Sequence, residues 1–291
     1  MANPRELRRR IKSVENTRQI TRTMEMVATS KLKRATDRVA AARPYAAALA
    51  EVIRDLYDPE LAEQFPLLRR PAGTPGRVAV VGLTSNRGLC GGFNANLIRM
   101  ARNRVAELED QGTAVDLHMV GRKGVGFFRY LGREMAGTID DLNDQPTIED
   151  SIRIMAPLVA SFEDGALDAV ELIYARFNSP MNTPPTLMRV LPVEVDTVHR
   201  GRTSTVQANY LLKPGPDRIV RAILPLYVRN QMYRALVETA AAEQGARRTA
   251  MKNATDNAGD MLDTLRRTFN RARQAQITQE LAEIVGGAEA L

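Results

Sequence analysis

Residues 1–57 show the apolar spacing of a long coiled-coil helix. Apolar side chains recur at alternating steps of three and four, and neither proline nor glycine occurs between Pro4 and Pro44. This stripe predicts a helix that must bury one face against another helix. Pro44 is expected to bend the helix without ending it. The predicted seam positions are Leu7, Ile11, Val14, Arg18, Thr21, Glu25, Ala28, Leu32, Ala35, Val39, Ala42, Ala46, Leu49, Ile53 and Leu56.

The seam is irregular over residues 18–25, where polar side chains occupy its positions. The apolar residues of this stretch are Ile20, Met24 and Val27, each displaced by one position. One residue corresponds to about 100° of rotation, so the apolar stripe turns toward another face of the helix. Either a partner other than the opposing helix occupies that face, or the supercoil changes locally. The pattern alone allows both interpretations.

The last segment, residues 209–291, shows a second long helical pattern. Pro214-Gly215-Pro216 interrupts the chain before it, and Gly286-Gly287 is predicted to end the helix. Each terminal helix alone would expose its seam, so we expect the two to pair as an antiparallel rod. The predicted apolar positions are Met251, Ala254, Ala258, Met261, Leu265, Phe269 and Ala272, followed by a final stripe of Ile277, Leu281 and Ile284.

The middle of the chain has the pattern of alternating strands and helices. Short apolar runs predict strands at 77–83, 115–120, 169–175 and 186–195. Helices are predicted between them: one ends near residue 109, and two others cover residues 123–131 and 148–162. This Rossmann-like alternation predicts an open, mainly parallel sheet. The expected fold class is therefore α/β with a long antiparallel coiled coil. Its predicted parts are helix 1–57, connector 58–76, central α/β domain 77–208 and helix 209–291.

The charge distribution narrows the choice of partner without deciding it. Residues 1–57 carry a net charge of +7, residues 58–208 carry −3 and residues 209–291 carry +3. Basic ends can bind nucleic acid, an acidic membrane face or an acidic protein surface. The runs Arg8-Arg9-Arg10 and Lys31-Leu32-Lys33-Arg34 could contact phosphates or form a solvated helix face. A nucleic-acid-binding coiled coil therefore remains an alternative, although no aromatic stacking platform lies beside these runs.

The candidates for chemistry are few. Residues 84–94 form a glycine-rich loop after the first predicted strand, where nucleotide-binding folds hold phosphate. The loop matches neither standard phosphate fingerprint, so we interpret it as a tight turn, with a nucleotide-dependent enzyme as the alternative. Cys90 has no nearby histidine in sequence, which gives little support to a nucleophile or a metal site. We expect no catalytic, cofactor-binding or metal-binding residue.

Four segments in chain order carry a more specific signal. They are IKSVENTRQIT with MEMVA at 11–28, RGLCGGFN at 87–94, AMKNATDN at 250–257 and RQAQITQEL at 273–281. These segments resemble the signatures of the gamma subunit of F-type ATP synthases, and they span nearly the whole chain. One departure is Asn86, which stands where many relatives have aspartate. The chain also lacks the cysteine-bearing segment of the light-regulated chloroplast branch, and its single cysteine excludes an intrachain thiol switch.

The resemblance implies a rotor shaft. Its coiled coil would stand inside a ring of three alpha and three beta subunits, with its foot on the c-subunit ring beside epsilon. Proton flow would turn the c ring and the shaft, and the shaft would drive the beta subunits through their nucleotide affinities. The chain itself would then be no enzyme and would need no cofactor. A small inhibitory subunit is a further candidate partner, and nucleic acid is not expected.

The resemblance also implies a location and a set of contact residues. The chain shows no clear transit peptide, so we expect a peripheral protein on the cytoplasmic face of a bacterial inner membrane. Met24 matches a position that faces the acidic catch region of the beta subunit. Tyr210 matches the foot, where contact with the c ring is expected. The other implied coupling positions on the shaft are Arg247, Gln274, Thr278 and Glu283.

Overall fold

The described residues divide between two compact units. A computed structural model describes residues 4–56, 65–69, 73, 75–193 and 216–289. The first unit combines residues 1–30 with 247–291, and we call it the two-helix unit. The second comprises residues 31–246, and we call it the sheet unit. The predicted division at residues 57, 76 and 208 stays a prediction.

The two longest helices, α1 and α5, each contribute to both units. Helix α1 spans Pro4–Leu56 and α5 spans Pro216–Glu289. Pro44 lies inside α1, as expected. The end predicted at Gly286-Gly287 is wrong, because α5 continues to Glu289. The remaining elements are β1 Arg77–Leu83, α2 Phe93–Asp110, β2 Ala114–Val120, α3 Arg122–Tyr130, β3 Gly137–Ile139, α4 Ile148–Glu163, β4 Ala169–Ala175 and β5 Pro185–Leu191, with a short 3-10 helix at Pro66–Leu68.

The sheet has the strand order β3-β2-β1-β4-β5. Strands β1 to β4 are parallel, whereas β5 pairs antiparallel with β4. The predicted mainly parallel sheet is confirmed. The antiparallel edge arises because only residues 176–184 join β4 to β5, too few for a crossover to the opposite end of the sheet. Strand β3 was not predicted, since its three residues, Gly-Thr-Ile, are too short to show a pattern.

The core of the sheet unit lies on both faces of the central strands. All seven residues of β4 and six of the seven in β1 are buried, as expected for parallel strands with apolar runs. One face packs Val81 and Leu172 against Leu158 of α4. The other face packs Val80 against Leu97 of α2. The residues of α1 and α5 that belong to this unit complete the two layers.

The two-helix unit has a single narrow seam. On α1 its buried positions are Leu7, Thr21 and Ala28, which agrees with the predicted register. On α5 the predicted register is wrong at two positions. The buried residues are Thr255 and Leu262, whereas Met261 is 55% exposed. A seam of alternating four and three steps from Met251 therefore runs through Thr255, Ala258, Leu262, Leu265, Phe269 and Ala272.

Candidate partner-contact surface

Contacts along the seam show that the two helices run antiparallel. The Thr255 hydroxyl donates a hydrogen bond to the Thr21 hydroxyl at 2.8 Å. Toward the start of α1, the Arg8 guanidinium lies over the Phe269 ring, 5.5 Å from its centre. As α1 runs back from Thr21 to Arg8, α5 runs forward from Thr255 to Phe269. The predicted antiparallel pairing is therefore present within this unit.

The displaced apolar stripe of α1 does not enter the seam. Ile20 is 59% exposed and Val27 is 51% exposed, while Met24 between them is half-buried. These three residues lie on one helix face because they are spaced by four and three. The opposing helix instead contacts Thr21. Of the two interpretations left open by the sequence, the structure favours an apolar face available to another partner. We call Ile20, Met24 and Val27 the α1 face.

The end of α5 extends past the start of α1. Since α1 begins at Pro4 and runs antiparallel, no described residue of α1 lies opposite the last turns of α5. All side chains described from Arg273 to Ile284 are exposed. They include the apolar residues Ile277, Leu281 and Ile284. A lone helix that exposes a row of large apolar side chains indicates a surface built for a partner.

Three of the predicted contact residues, Gln274, Thr278 and Glu283, lie on this extension, and the side chains of the first two are described. Gln274, Ile277, Thr278 and Leu281 are spaced by three, one and three, which brings them to one face of the helix. The Thr278 hydroxyl donates to the Gln274 carbonyl oxygen at 3.0 Å. Polar and apolar side chains therefore share this face. We call these four residues and Ile284 the α5 face.

The other predicted contact residues have different surroundings. Arg247 is only 9% exposed, so its side chain is largely enclosed by the chain itself. The side chain of Glu283 and the whole of Tyr210 lie outside the described residues. Ile277 and Leu281 were not among the predicted contact residues. Their signal was an apolar stripe that continues after the opposing helix has ended.

The surface of the two-helix unit is basic. Residues 1–30 and 247–291 together carry 14 Lys+Arg and 9 Asp+Glu, a net charge of +5. Two ion pairs within the unit are Arg266 with Glu15 at 2.7 Å and Arg10 with Glu6 at 2.6 Å. Both pairs are solvent-exposed, so each contributes little to stability. The net positive field favours an acidic partner surface.

The glycine-rich loop of the sheet unit uses its polar groups internally. The Ser85 amide donates to Asn94 Oδ1 at 3.0 Å, and Asn94 Nδ2 donates to Ser85 Oγ at 2.8 Å. Ser85 Oγ in turn donates to the Arg87 carbonyl oxygen at 2.6 Å. Gly121 approaches the same region so closely that an added Cβ would lie 2.1 Å from the Thr84 carbonyl oxygen. These contacts support the interpretation as a tight turn.

Both polar atoms of the Asn86 side-chain amide make hydrogen bonds, at the position where many relatives have aspartate. Its Nδ2 donates to the Leu142 carbonyl oxygen at 2.7 Å, and its Oδ1 accepts from the Arg122 amide at 3.0 Å. An ionised aspartate accepts hydrogen bonds but cannot donate one, so it could not make the first of these contacts. Here the amide joins the loop after β1 to the segment after β3. Its role in this chain is structural.

A polar cavity of about 570 Å³ opens beside Asn86. Asp140, Asp141 and Asp144 contribute to its lining. Asp141 pairs with Arg153, whose guanidinium lowers the pKa of that carboxyl, and Asp144 pairs with Lys31 at 2.5 Å. Arg87 and Arg122 also line the cavity, so its lining mixes both signs of charge and offers a phosphate no net positive field. The cavity therefore gives no support to a nucleotide site.

The described part of the chain contains no cluster of three or more metal-ligating side chains. Within that same part, no helix combines the length and the apolar character that a membrane crossing requires. The features that stand out are contact surfaces: an exposed apolar face on each long helix and a basic field around them. Such features define a structural subunit of a larger assembly.

Comparison with known proteins identifies the assembly. Residues 3–291 match the family model described as ATP synthase. A chain of Gemmatimonas aurantiaca called "ATP synthase gamma chain" is 60% identical over 291 residues, covering 100% of this chain and 99% of that relative. A chain of the same name from Moorella thermoacetica is 44% identical, covering 100% of both. The chain therefore belongs to the ATP synthase family, among its gamma chains.

Solved structures share the fold. A chain from a structure of the central stalk and c ring of the Tetrahymena thermophila mitochondrial ATP synthase matches with a TM-score of 0.63 at 24% identity, covering 81% of this chain and 99% of that one. A chain from the Euglena gracilis mitochondrial ATP synthase, in a structure of its OSCP, F1 and c-ring parts, matches with a TM-score of 0.68 at 18% identity, covering 99% and 94%. Gamma chains are non-catalytic stalk subunits, and catalysis lies in the beta subunits. The alternative of a nucleotide-dependent enzyme is thus set aside.

Proposed function

We propose that this chain is the rotating shaft that couples proton flow through the membrane c ring to ATP synthesis on the beta subunits. In reverse, ATP hydrolysis would turn the shaft and pump protons. The observation that carries the proposal is the α5 face, an exposed apolar row on the part of α5 that extends beyond the described start of α1. A surrounding ring of subunits would cover this row without requiring one fixed angle.

The two contact surfaces of the two-helix unit suit different kinds of contact with the surrounding subunits. The α5 face is predominantly apolar and suits a bearing, since apolar contact is non-directional. The α1 face carries Met24, which would lie against the acidic catch region of a beta subunit. Gln274 and Thr278 would add polar contacts that form and break as the shaft turns. Glu283 and Tyr210 keep their proposed contacts, to the beta subunits and to the c ring respectively.

Arg247 has a different place in this proposal. Its side chain is largely enclosed within the chain, so only a small part of it is accessible to another subunit. A direct coupling contact would therefore use that remaining surface alone. We expect Arg247 to contribute as much by supporting α5 as by touching a beta subunit.

The proposed partners are three alpha and three beta subunits around the two-helix unit, epsilon and the c ring at the sheet unit, and a small inhibitory subunit. The proposed location is the cytoplasmic face of a bacterial inner membrane. The net charge of +5 on the two-helix unit complements an acidic partner surface. No nucleic acid is part of the proposal.

Co-purification tests the proposed assembly directly. A tagged copy of this chain is extracted in mild detergent, and subunit amounts are measured by quantitative mass spectrometry. We expect one copy of this chain for every three alpha and three beta subunits, together with epsilon and the c subunit. Equal amounts of this chain and beta, or a free monomer alone, would contradict the proposal.

A matched pair of variants tests the role of the α5 face. Replacing Leu281 by Ser removes apolar contact at an exposed position, so the isolated chain should keep its fold. We expect the assembled complex to lose rotation-coupled ATP hydrolysis or to dissociate more readily. The control is Tyr130→Ser on α3, which removes a large exposed side chain away from both faces. Equal behaviour of the two variants would exclude the α5 face as a bearing.

A further inference from the structure

A second concave surface lies in the sheet unit, away from the contact faces described above. It is a cavity of about 350 Å³ lined by α1, α4 and α5. On α1 the lining positions are 38, 41, 42 and 45, and on α5 they are 226, 229, 230 and 233. Both sets follow the spacing of one helix face, so the cavity is a groove between two helices. Ile148, the first residue of α4, adds a third wall.

The groove has an apolar body. Large side chains that line it remain exposed, namely Tyr45, Ile148 and Leu226. Tyr233 lies among them and is half-buried. A volume of this size lies within the range of pockets that hold small organic ligands. Exposed aromatic and aliphatic side chains around a concavity indicate a site for an apolar group.

The charged groups of the groove are cationic, and Asn230 adds a neutral amide. Arg38 and Arg229 both line it, and no acidic residue is among its described lining. On α1 the residues three and four positions from Arg38 are Arg34, Ala35, Ala41 and Ala42. On α5 the corresponding neighbours of Arg229 are Pro225, Leu226, Met232 and Tyr233. Neither helix therefore supplies a carboxylate at the positions that pair along a helix surface.

The other charged residues near the groove do not supply a carboxylate partner for Arg38 or Arg229. On α4, Glu149 and Asp150 follow Ile148 in the first turn of the helix, and Asp150 accepts the hydrogen bonds of the helix cap at Thr147. Arg153 of the same helix pairs with Asp141. Arg234 of α5 pairs with Glu238 at 2.8 Å. The two guanidiniums at the groove thus remain the groups suited to an anion from outside the chain.

We propose that this groove binds a small amphipathic anion, a compact aromatic or branched apolar group that carries one sulfonate, carboxylate or phosphate. The apolar part would lie against Tyr45, Ile148 and Leu226. The acid group would accept hydrogen bonds from Arg38 and Arg229, whose planar guanidiniums suit oxyanions. None of its residues belongs to the α1 or α5 face, so the site can be tested separately from the proposed contacts of the two-helix unit.

A pair of fluorescent probes tests both parts of the ligand. Anilinonaphthalene sulfonate carries an acid group, and phenylnaphthylamine is its neutral counterpart. Each is titrated into the full chain, and fluorescence gives affinity and stoichiometry. We expect saturable binding of one sulfonate probe per chain, about tenfold or more tighter than the neutral probe, which is the factor expected for a charged hydrogen bond.

Three variants assign the binding to the groove. Arg38→Gln combined with Arg229→Gln should weaken the sulfonate probe about tenfold and leave the neutral probe unchanged. Leu226→Ser should weaken both probes. Arg129→Gln removes one exposed arginine of α3 and should change neither. Circular dichroism and thermal unfolding verify that each variant keeps the fold.

Two experimental outcomes would overturn the proposed binding site. Sulfonate binding that is unsaturable, or no tighter than that of the neutral probe, would overturn it. So would a double arginine variant that binds the sulfonate probe as tightly as the Arg129→Gln control. A sulfonate affinity that falls in the double arginine variant and in Leu226→Ser, but not in Arg129→Gln, supports the assignment. Competition by benzenesulfonate and by inorganic phosphate then tests the apolar part of the ligand. Displacement by benzenesulfonate alone supports an amphipathic anion, whereas equal displacement by inorganic phosphate would overturn the apolar part of the proposal.

Discussion

The two units of this chain bury their apolar residues in different ways. The sheet unit encloses its central strands on both faces, and Val80, Leu172 and Ile173 have no exposed surface. The two-helix unit buries one row of side chains on each helix and leaves Ile20 and Leu281 exposed. Because burial of apolar area supplies most folding stability, the sheet unit should unfold last. The difference indicates that the sheet unit encloses its own apolar core, whereas the two-helix unit leaves apolar side chains for a partner to cover.

The polar residues inside the two units differ as well. In the sheet unit, buried Glu171 is bonded by Arg104 at 2.6 Å and by Arg189 at 3.1 Å. In the two-helix unit, the seam contains the neutral pair Thr21 and Thr255. A buried charge is costly once a partner is lost, whereas a neutral hydroxyl pair costs less. Four predictions use these contrasts, from the largest expected effect on stability to the smallest.

The same substitution in both units compares their cores. Leu172→Ala in β4 should destabilise the sheet unit by about 3–5 kcal/mol, because the enclosing layers cannot collapse into the cavity. Leu262→Ala in the seam should cost less, about 2–3 kcal/mol, because neighbouring helices can approach. Hydrogen exchange followed by mass spectrometry measures each loss peptide by peptide. Equal losses at the two positions would remove the proposed difference between the units.

The Glu171 cluster makes the sheet unit sensitive to acid. Burial raises the pKa of Glu171, but Arg104 and Arg189 outweigh it and hold the pKa below its ordinary value of 4.5. The stabilisation is therefore complete above about pH 4.5 and is lost as the pH falls through the lower folded pKa. Glu171→Gln should cost about 3 kcal/mol at neutral pH.

Unfolding in urea at a series of pH values tests this prediction. The stability of the wild-type chain should approach that of Glu171→Gln as the pH falls, because the protonated acid resembles the amide. Asp164→Asn supplies a control, since Asp164 follows α4 at an exposed position. A constant difference between wild type and Glu171→Gln down to pH 3 would show that the ion pairs contribute nothing to it.

The threonine pair is expected to have a smaller effect. Thr255→Val removes the donor to Thr21 and should destabilise the two-helix unit by about 1 kcal/mol. The double variant with Thr21→Val should recover most of this loss, since two apolar side chains then meet. Thermal unfolding of all four chains gives the coupling energy. Additive losses would mean that the two hydroxyls do not interact.

The smallest effect on folding is expected at the α1 face. Met24→Lys should change stability by no more than about 0.5 kcal/mol, because the side chain is not part of the seam. It should nevertheless reduce ATP-driven proton pumping in the assembled complex several-fold, since an ammonium facing an acidic beta surface adds an ion pair that resists turning. Met24→Leu is the control. Unchanged pumping relative to ATP hydrolysis in Met24→Lys would contradict the contact.

Much of the fold was predictable because its signals are long or locally strong. The seam of α1 repeats over many turns, and β4 at Ala169–Ala175 was predicted to the residue. The register of α5 was wrong at Thr255 and Leu262, because the apolar residues Ala254 and Met261 lie one position away and also continue the spacing of three and four. Only the position of the opposing helix decides between neighbouring candidates. Local spacing could not supply that information.

The candidate contact surface was predicted in part. The displaced stripe at Met24 was visible in the sequence because apolar residues left the seam together. The extension of α5 was not, since its use depends on where α1 ends relative to it. The enclosure of Arg247 was also unpredictable, because the burial of a charged side chain depends on tertiary packing that local spacing does not show. The groove at Arg38 and Arg229 likewise requires two helices that are far apart in sequence.

The hydrogen bond between Thr21 and Thr255 has a consequence for how the unit meets its surroundings. Apolar seams of similar residues tolerate sliding, since Leu and Ala contacts are alike one turn away. A hydroxyl pair at one level fixes the axial alignment of the two helices, because a slip of one turn separates donor from acceptor. Every exposed side chain then keeps a constant height on both helices. A ring of subunits around this unit would contact the same side chains at the same heights after each full revolution.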